Sequence, residues 1–311
     1  MAVGCAAGSS GGASAPWLPV KEGTAVGEQR PNAQRLQLAA RLRRLREAAG
    51  QLQEHSAATL GCDTSKISRI EHGHSGLKAA ELEKLLDLYQ VTGPERQELL
   101  EVGKEARQRG RRKLYGDTLP GYFRRFIDLE VDATEIRCYE GELVPGLLQT
   151  EDYARALIRV ALLGAEQTEV DRRVKIRMDR HAILTRKAPP PPRLWCVLGE
   201  AVFARPVGGP EVMRAQMEHL LQITTEPTTV TVQVLPFSVG EYPGLGGSFS
   251  LLSLDSAAPT IGHMDTLGIG STYVEREDVA SLIERFDRLR AKSLEPEKSR
   301  EFILNRIAQQ R

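Results

Sequence analysis

The chain has 311 residues, 41% hydrophobic and 27% charged, which is long enough for two domains and apolar enough for each to bury a core. Its four cysteines (Cys5, Cys62, Cys138 and Cys196) stand far apart with no CxxC pair, which argues against a disulfide scaffold and against a zinc site, and fits reduced thiols in a cytoplasm. The net charge of +1 conceals an asymmetry: residues 31–113 carry 16 Lys and Arg against 11 Asp and Glu, whereas residues 114–311 carry 24 against 28. No apolar run approaches the length of a membrane span, and no basic segment followed by an apolar stretch opens the chain.

Residues 1–30, rich in Ala, Gly and Ser without periodicity, read as a disordered leader. The periodic segments begin with a helix from about Leu36 to Ala49, in which Leu38, Leu42 and Leu45 recur on one face and which Gly50 ends. Two short helices then meet at Leu60-Gly61-Cys62, a connection too short for anything but a sharp turn, with Gly61 free to take the positive φ such a turn needs. Small Ala57 lets the two helices approach, Asp63 can cap the second, and Gly73 can end it. In that second helix Ile67 and Ile70 share a face, which directs Thr64, Ser65, Lys66, Ser68 and Arg69 outward. Helices at Ala79–Tyr89 and from Glu95 to about Gln108 complete a five-helix, all-α domain over residues 31–108. This is the pattern of a helix-turn-helix unit, whose second helix offers short polar and cationic side chains to a major groove. The positive surplus lies in the same third of the chain, where attraction to phosphate requires it.

A basic linker follows at 109–118, where Arg109, Arg111, Arg112 and Lys113 surround Gly110; it is either a solvated connector or a contact to the DNA backbone. From 119 to 311 the pattern is mixed α+β. Helical periodicity at Glu151–Leu163 and Glu166–Thr185 precedes the rigid run Pro189–Pro192. Strand-like runs at Leu194–Leu198, Thr229–Leu235 and Ser248–Leu254 enclose a helix at Gly209–Thr224. Helices at Glu277–Lys292 and Pro296–Gln309 close the chain. The fold class is therefore α+β: an N-terminal five-helix helix-turn-helix domain and a mixed C-terminal domain for dimerisation or effector binding.

Motifs for catalysis are sparse. The six histidines show no metal-ligand spacing, Gly244-Leu245-Gly246-Gly247-Ser248 lacks the Gly-Lys-Ser/Thr of a phosphate loop, and no GxSxG elbow occurs. His263 and Asp265 form the single acid–base constellation worth following, since on a strand both would project to one face; a loop or core polar pair is preferred over catalysis. Trp195, Phe203, Phe237 and Phe249 either line an apolar pocket or belong to the core. The chain is accordingly expected not to be an enzyme and to need no metal or cofactor.

Several longer stretches carry a resemblance. Ser65-Lys66-Ile67-Ser68-Arg69-Ile70-Glu71-His72-Gly73, Glu142-Leu143-Val144-Pro145-Gly146-Leu147-Leu148-Gln149-Thr150-Glu151-Asp152-Tyr153-Ala154, Ala182-Ile183-Leu184-Thr185-Arg186, Arg205-Pro206-Val207-Gly208-Gly209-Pro210-Glu211-Val212-Met213 and Val232-Gln233-Val234-Leu235-Pro236-Phe237 lie within 36–311. On these the chain resembles actinobacterial regulators of the Xre/Cro-cI class whose C-terminal half is an uncharacterised, antitoxin-like domain. The resemblance implies a sequence-specific transcriptional regulator of double-stranded DNA, a homodimer, with a small cognate partner protein or a small-molecule effector as further partners. It places Gln53 at a phosphate grip, Thr64, Ser65, Ser68 and Arg69 at base-reading positions, Lys66 at a phosphate, and Arg46 with Glu71 in a structural ion pair.

The sequence departs from that pattern at Leu52, where a capping Thr or Asn is usual, at His55-Ser56, and at 262–270, where a more regular strand and loop is usual. Two rival readings accompany the regulator: a partner-binding, antitoxin-like protein, and a regulator scaffold repurposed as an enzyme of specialised metabolism.

Overall fold

The computed structural model describes residues 33–107, 119, 121–225, 228–254, 260–266, 270–274 and 276–309. The expected leader (1–30) and the expected linker (109–118) lie outside these residues.

Five helices form the N-terminal unit: α1 (Ala33–Ala48), α2 (Gln53–Leu60), α3 (Thr64–Glu71), α4 (Ala79–Leu88) and α5 (Gly93–Arg107). Their apolar stripes converge on one core in which Leu42, Ile67, Leu82, Leu85, Leu86 and Leu99 are fully buried. α1 starts three residues before the periodicity predicts. The extra turn is held by tertiary contact, because Gln34 donates to Asp132 at 2.7 Å and Leu36 packs against the core of the second domain.

The second domain begins with α6 (Gly121–Asp132) and β1 (Glu135–Glu140), two elements the sequence reading did not isolate. It continues through α7 (Glu151–Ala161), α8 (Gln167–Asp179), α9 (Ala182–Thr185), β2 (Arg193–Gly199), α10 (Ala201–Ala204), α11 (Pro210–Ile223), β3 (Val230–Leu235), β4 (Phe249–Ser253), β5 (Ile261–Thr266), β6 (Gly270–Val274), α12 (Arg276–Lys292) and α13 (Pro296–Gln309). The single periodic run at 166–185 divides into α8 and α9, because Arg180 turns inward onto Glu130 and Ile183 enters the core.

The six strands form one sheet in the order β3-β2-β1-β4-β5-β6. β1, β2 and β3 are parallel neighbours, joined by helical crossovers; β4, β5 and β6 are antiparallel. Both faces are covered, which is why the apolar run 194–198 shows no alternation. Ile136, Cys138, Leu194, Cys196, Leu198, Val232 and Val234 face the larger core with α6 and α11, while Tyr139, Val197, Phe249 and Leu251 face α12 through Val279, Phe286 and Leu289. The stretch 262–270, which departs from the resemblance, is regular where it is described: Gly262 to Thr266 are laddered to β6, and His263 also pairs with Ser250 of β4. Pairing on both sides supplies the backbone bonds that a Gly-rich sequence does not advertise.

Candidate nucleic-acid interface

The α2–α3 turn is built by backbone. Gly61 takes φ 63° and ψ 41°, in the left-handed region a Cβ disfavours, and closes α2 by donating to Ala58 O at 3.2 Å while Cys62 N donates to Ala57 O at 3.0 Å. Ala57 is buried at the crossing, and the Ser56 hydroxyl meets the Tyr89 hydroxyl at 2.9 Å in the interior, so the buried serine has a polar partner. Asp63 caps α3: its Oδ1 accepts from Lys66 N at 2.8 Å and from Ser65 Oγ at 2.5 Å. The Ser65 hydroxyl and the Lys66 amide hold the Asp63 carboxyl below the usual carboxylate range. By contrast, Leu52 stands at the α2 cap position with capping geometry (φ −82°, ψ 161°) and no side-chain bond, and its side chain is 59% exposed.

The base of α3 is fixed by Glu71. Its Oε1 accepts from Arg46 Nε at 2.5 Å, and its Oε2 from Arg46 Nη2 at 3.1 Å and Gln53 Nε2 at 2.8 Å. Arg46 Nη1 also donates to Gln51 O at 2.8 Å. One carboxylate thus ties α1, the α1–α2 connection, α2 and α3 together. Both Arg46 and Glu71 are buried, and the hydrogen bond to Glu71 raises the Arg46 guanidinium further above its already high value.

The residues expected at DNA fall into two groups. Thr64, Ser65 and Arg69 are exposed on α3, and the Arg69 side chain makes no hydrogen bond or ion pair to a described residue, while its carbonyl accepts from Ser75 N at 3.1 Å. Ser68 is half-buried, with its carbonyl accepting from His72 Nδ1 at 2.7 Å. The other group is already engaged. Lys66 Nζ lies 2.7 Å from Glu81 Oε1 on α4, and that bond raises its pKa. Gln53 directs its amide to Glu71, so its contribution at a phosphate would come with that network attached. The Lys66 tie is not visible in the α2–α3 sequence, since Glu81 enters from another helix.

The remaining candidates lie in the second domain. His263 is buried on β5, its ring 4.3 Å from the Phe126 ring; Asp265 follows two positions later on the same strand. Of the four aromatic residues in question, Phe203 and Phe249 are core residues and Phe237 is 64% exposed. Trp195 lies on the α12 side of the sheet, where its indole N–H donates to Gln233 at 2.8 Å and the Arg290 guanidinium covers its ring. Among the described residues no group of three His, Cys, Asp or Glu is placed to hold a metal, and no helix is long and apolar enough to cross a membrane.

Comparison with known families agrees with this division. Residues 37–99 match a family described as a helix-turn-helix domain, the domain type of DNA-binding regulators, and residues 123–305 match one described as a domain of unknown function (DUF5753). Neither a curated protein nor a solved structure matches the chain. The second match spans more than half of the sequence, and the chain belongs to the DUF5753 family, here with a helix-turn-helix domain in front.

Proposed function

We propose that the protein is a sequence-specific transcriptional regulator of the Xre/Cro-cI class, actinobacterial and cytoplasmic, that binds double-stranded DNA with α3 in the major groove. The observation that carries this reading is the mounting of α3: its inner face is locked by Ile67, Ile70 and the buried Arg46–Glu71 pair, while Thr64, Ser65 and Arg69 stand exposed on the other. A rigid base with short polar and cationic groups at the tip suits reading of base edges. Arg69 is the residue assigned to a guanine, and Thr64, Ser65 and Ser68 to neighbouring base edges or phosphates. Gln53 contacts the backbone, and Lys66 joins it when released from Glu81.

The chain acts by binding rather than by catalysis, and the C-terminal domain serves dimerisation and receipt of a signal or a partner protein, in the antitoxin-like manner of the resemblance. A two-fold dimer would place two α3 helices one helical turn apart, giving a palindromic operator with half-sites about 10 bp apart or a multiple of it. The test is selection of fragments from the protein's own genome at two salt concentrations. Enrichment of one palindrome, with affinity falling steeply as salt rises, is the expected result. Uniform, weak retention of all fragments would overturn it.

A further inference from the structure

A cavity of about 1320 Å³ lies between one face of the sheet and α6, α7 and α8. Its floor follows from the strand register. Leu194, Ile136, Leu252 and Ile261 align across β2, β1, β4 and β5 as a row of large side chains, whereas the next row toward the C-terminal end of β1 aligns Cys196, Cys138, Ser250 and His263. Small side chains on three neighbouring strands leave the volume above them open. The place lies at the carboxyl end of β1, where the chain departs for β2 on one side and β4 enters on the other. Open α/β sheets bind ligands at such a reversal of strand order.

The wall chemistry narrows the occupant. Most of the wall is apolar, with Phe126, Ile136, Val144, Leu147, Leu157 and Ile176 among its residues. Charged side chains are present, but the protein itself engages them. Arg180 and Glu130 form a buried bidentate pair at 2.7 and 2.8 Å. Arg173 is paired with Glu169 at 2.7 Å and Arg205 with Glu142 at 3.2 Å. Arg159, which is exposed, donates to Gln167 at 3.2 Å. Arg177 donates to Gln149 at 3.0 Å, and Arg177 and Glu140 each have a further partner. A charged ligand would surrender its hydration here with no unmatched opposite charge to receive it, whereas a neutral apolar body surrenders little. The polar groups left for a ligand are hydroxyls. Ser250 is half-buried on the floor, and its hydroxyl has no partner among the described residues. Ser248, which also lines the cavity, accepts from Gly141 N at 3.2 Å and keeps its own O–H to donate.

We propose that this cavity binds a neutral, apolar organic molecule carrying one hydrogen-bonding oxygen, with the apolar body over the Cys138–Ser250 floor and the oxygen at the Ser248 and Ser250 hydroxyls. The volume exceeds the roughly 300–1,000 Å³ of ordinary small-molecule pockets, which suits a bulky body. This inference rests on the reading of the second domain as the receiver of a signal and gives that signal a chemical class. Its test contains no DNA, so its failure and a failure of the operator selection are read separately.

The experiment is titration of the full chain with Nile red, a neutral fluorophore, followed by displacement with three molecules that share one body: 1-pyrenebutanol, 1-pyrenebutanoate and 1-butylpyrene. Enhanced emission saturating at one equivalent is expected. Ser250→Trp, which fills the floor, and Ala156→Trp, which fills the α7 side, should each weaken Nile red by at least about tenfold, with far-UV circular dichroism confirming that each variant folds. The alcohol should displace Nile red at a concentration at least about tenfold lower than the carboxylate does. Ser250→Ala should weaken the alcohol about fivefold and leave 1-butylpyrene unchanged. Absence of saturable binding, or undiminished binding by both folded filled variants, overturns the site. Displacement by the carboxylate at the same or a lower concentration overturns the neutral class, and equal effects of Ser250→Ala on alcohol and hydrocarbon overturn the hydroxyl contact.

Discussion

Arg46 on α1 and Glu71 at the end of α3, 25 residues apart, meet as a buried bidentate ion pair. The pair makes the orientation of the exposed face of α3 a property of the whole N-terminal core. Glu71→Ala leaves Arg46 charged and buried without its carboxylate, a change that costs about 3–5 kcal/mol. The expected result is a lower melting temperature, with loss of hydrogen-exchange protection centred on α1 and α3. Replacing both partners, as Arg46→Met with Glu71→Leu, should recover most of the stability. A melting curve unchanged in Glu71→Ala would remove the pair from this role.

Arg69 is exposed and is the α3 side chain long enough to span a guanine edge. Arg69→Ala should relax selectivity at one base pair of the operator by about 1–3 kcal/mol, read as the ratio of affinities for the selected site and its single-base variants. Equal weakening on every duplex would make Arg69 a phosphate contact instead.

The Lys66–Glu81 bond at 2.7 Å restrains a cation that would otherwise be available at the DNA-facing side. Glu81→Gln removes the carboxylate and frees the ammonium. Binding to any duplex should tighten, and the slope of log affinity against log salt should steepen by about 0.9, the increment for one more neutralised phosphate. An unaltered slope would place Lys66 away from the backbone.

Leu52 occupies a cap position in capping geometry without an oxygen to use it. Leu52→Ser should stabilise α2 by about 1 kcal/mol and raise the melting temperature by roughly 2–4 °C if the domains melt together. A serine there also provides an additional hydroxyl for a phosphate, so DNA affinity should not fall. A drop in melting temperature would show that the exposed leucine has a packing role.

Burial lowers the pKa of His181, whose ring also donates to Gly146 O at 3.1 Å, and burial lowers that of His219. The folded state therefore takes up these protons only at lower pH than the unfolded chain, which does so below about pH 6.5. Since the unfolded state binds more protons, stability is full above that pH and declines as pH falls. The C-terminal domain should lose melting temperature between pH 7 and 5, and the His181→Gln, His219→Gln variant should lose less. Identical pH profiles would refute the assignment.

The helix-turn-helix was legible because its determinants are local. Gly61 at positive φ, Asp63 as a cap and the Ile67–Ile70 spacing are each set within a few residues, and the structure places all three where the spacing puts them. The strands at 193–199, 230–235 and 249–253 were legible from apolar runs, and α7, α8, α11, α12 and α13 from periodicity, whereas the short α10 was not. Less legible were elements whose formation depends on neighbours. β1 mixes Glu, Arg and Tyr with its apolar residues, and β5 is rich in small and polar residues that only the ladders to β4 and β6 organise. Which cations are restrained was equally beyond the chain order, because Glu81 reaches Lys66 from another helix. Cys138 and Ser250 become neighbours only when β1 and β4 are in register. Short-range sterics and hydrogen bonding wrote the turn and the caps into the sequence; register and packing between distant segments, which no local pattern encodes, decided the sheet, the restraint of Lys66 and the space at the end of β1.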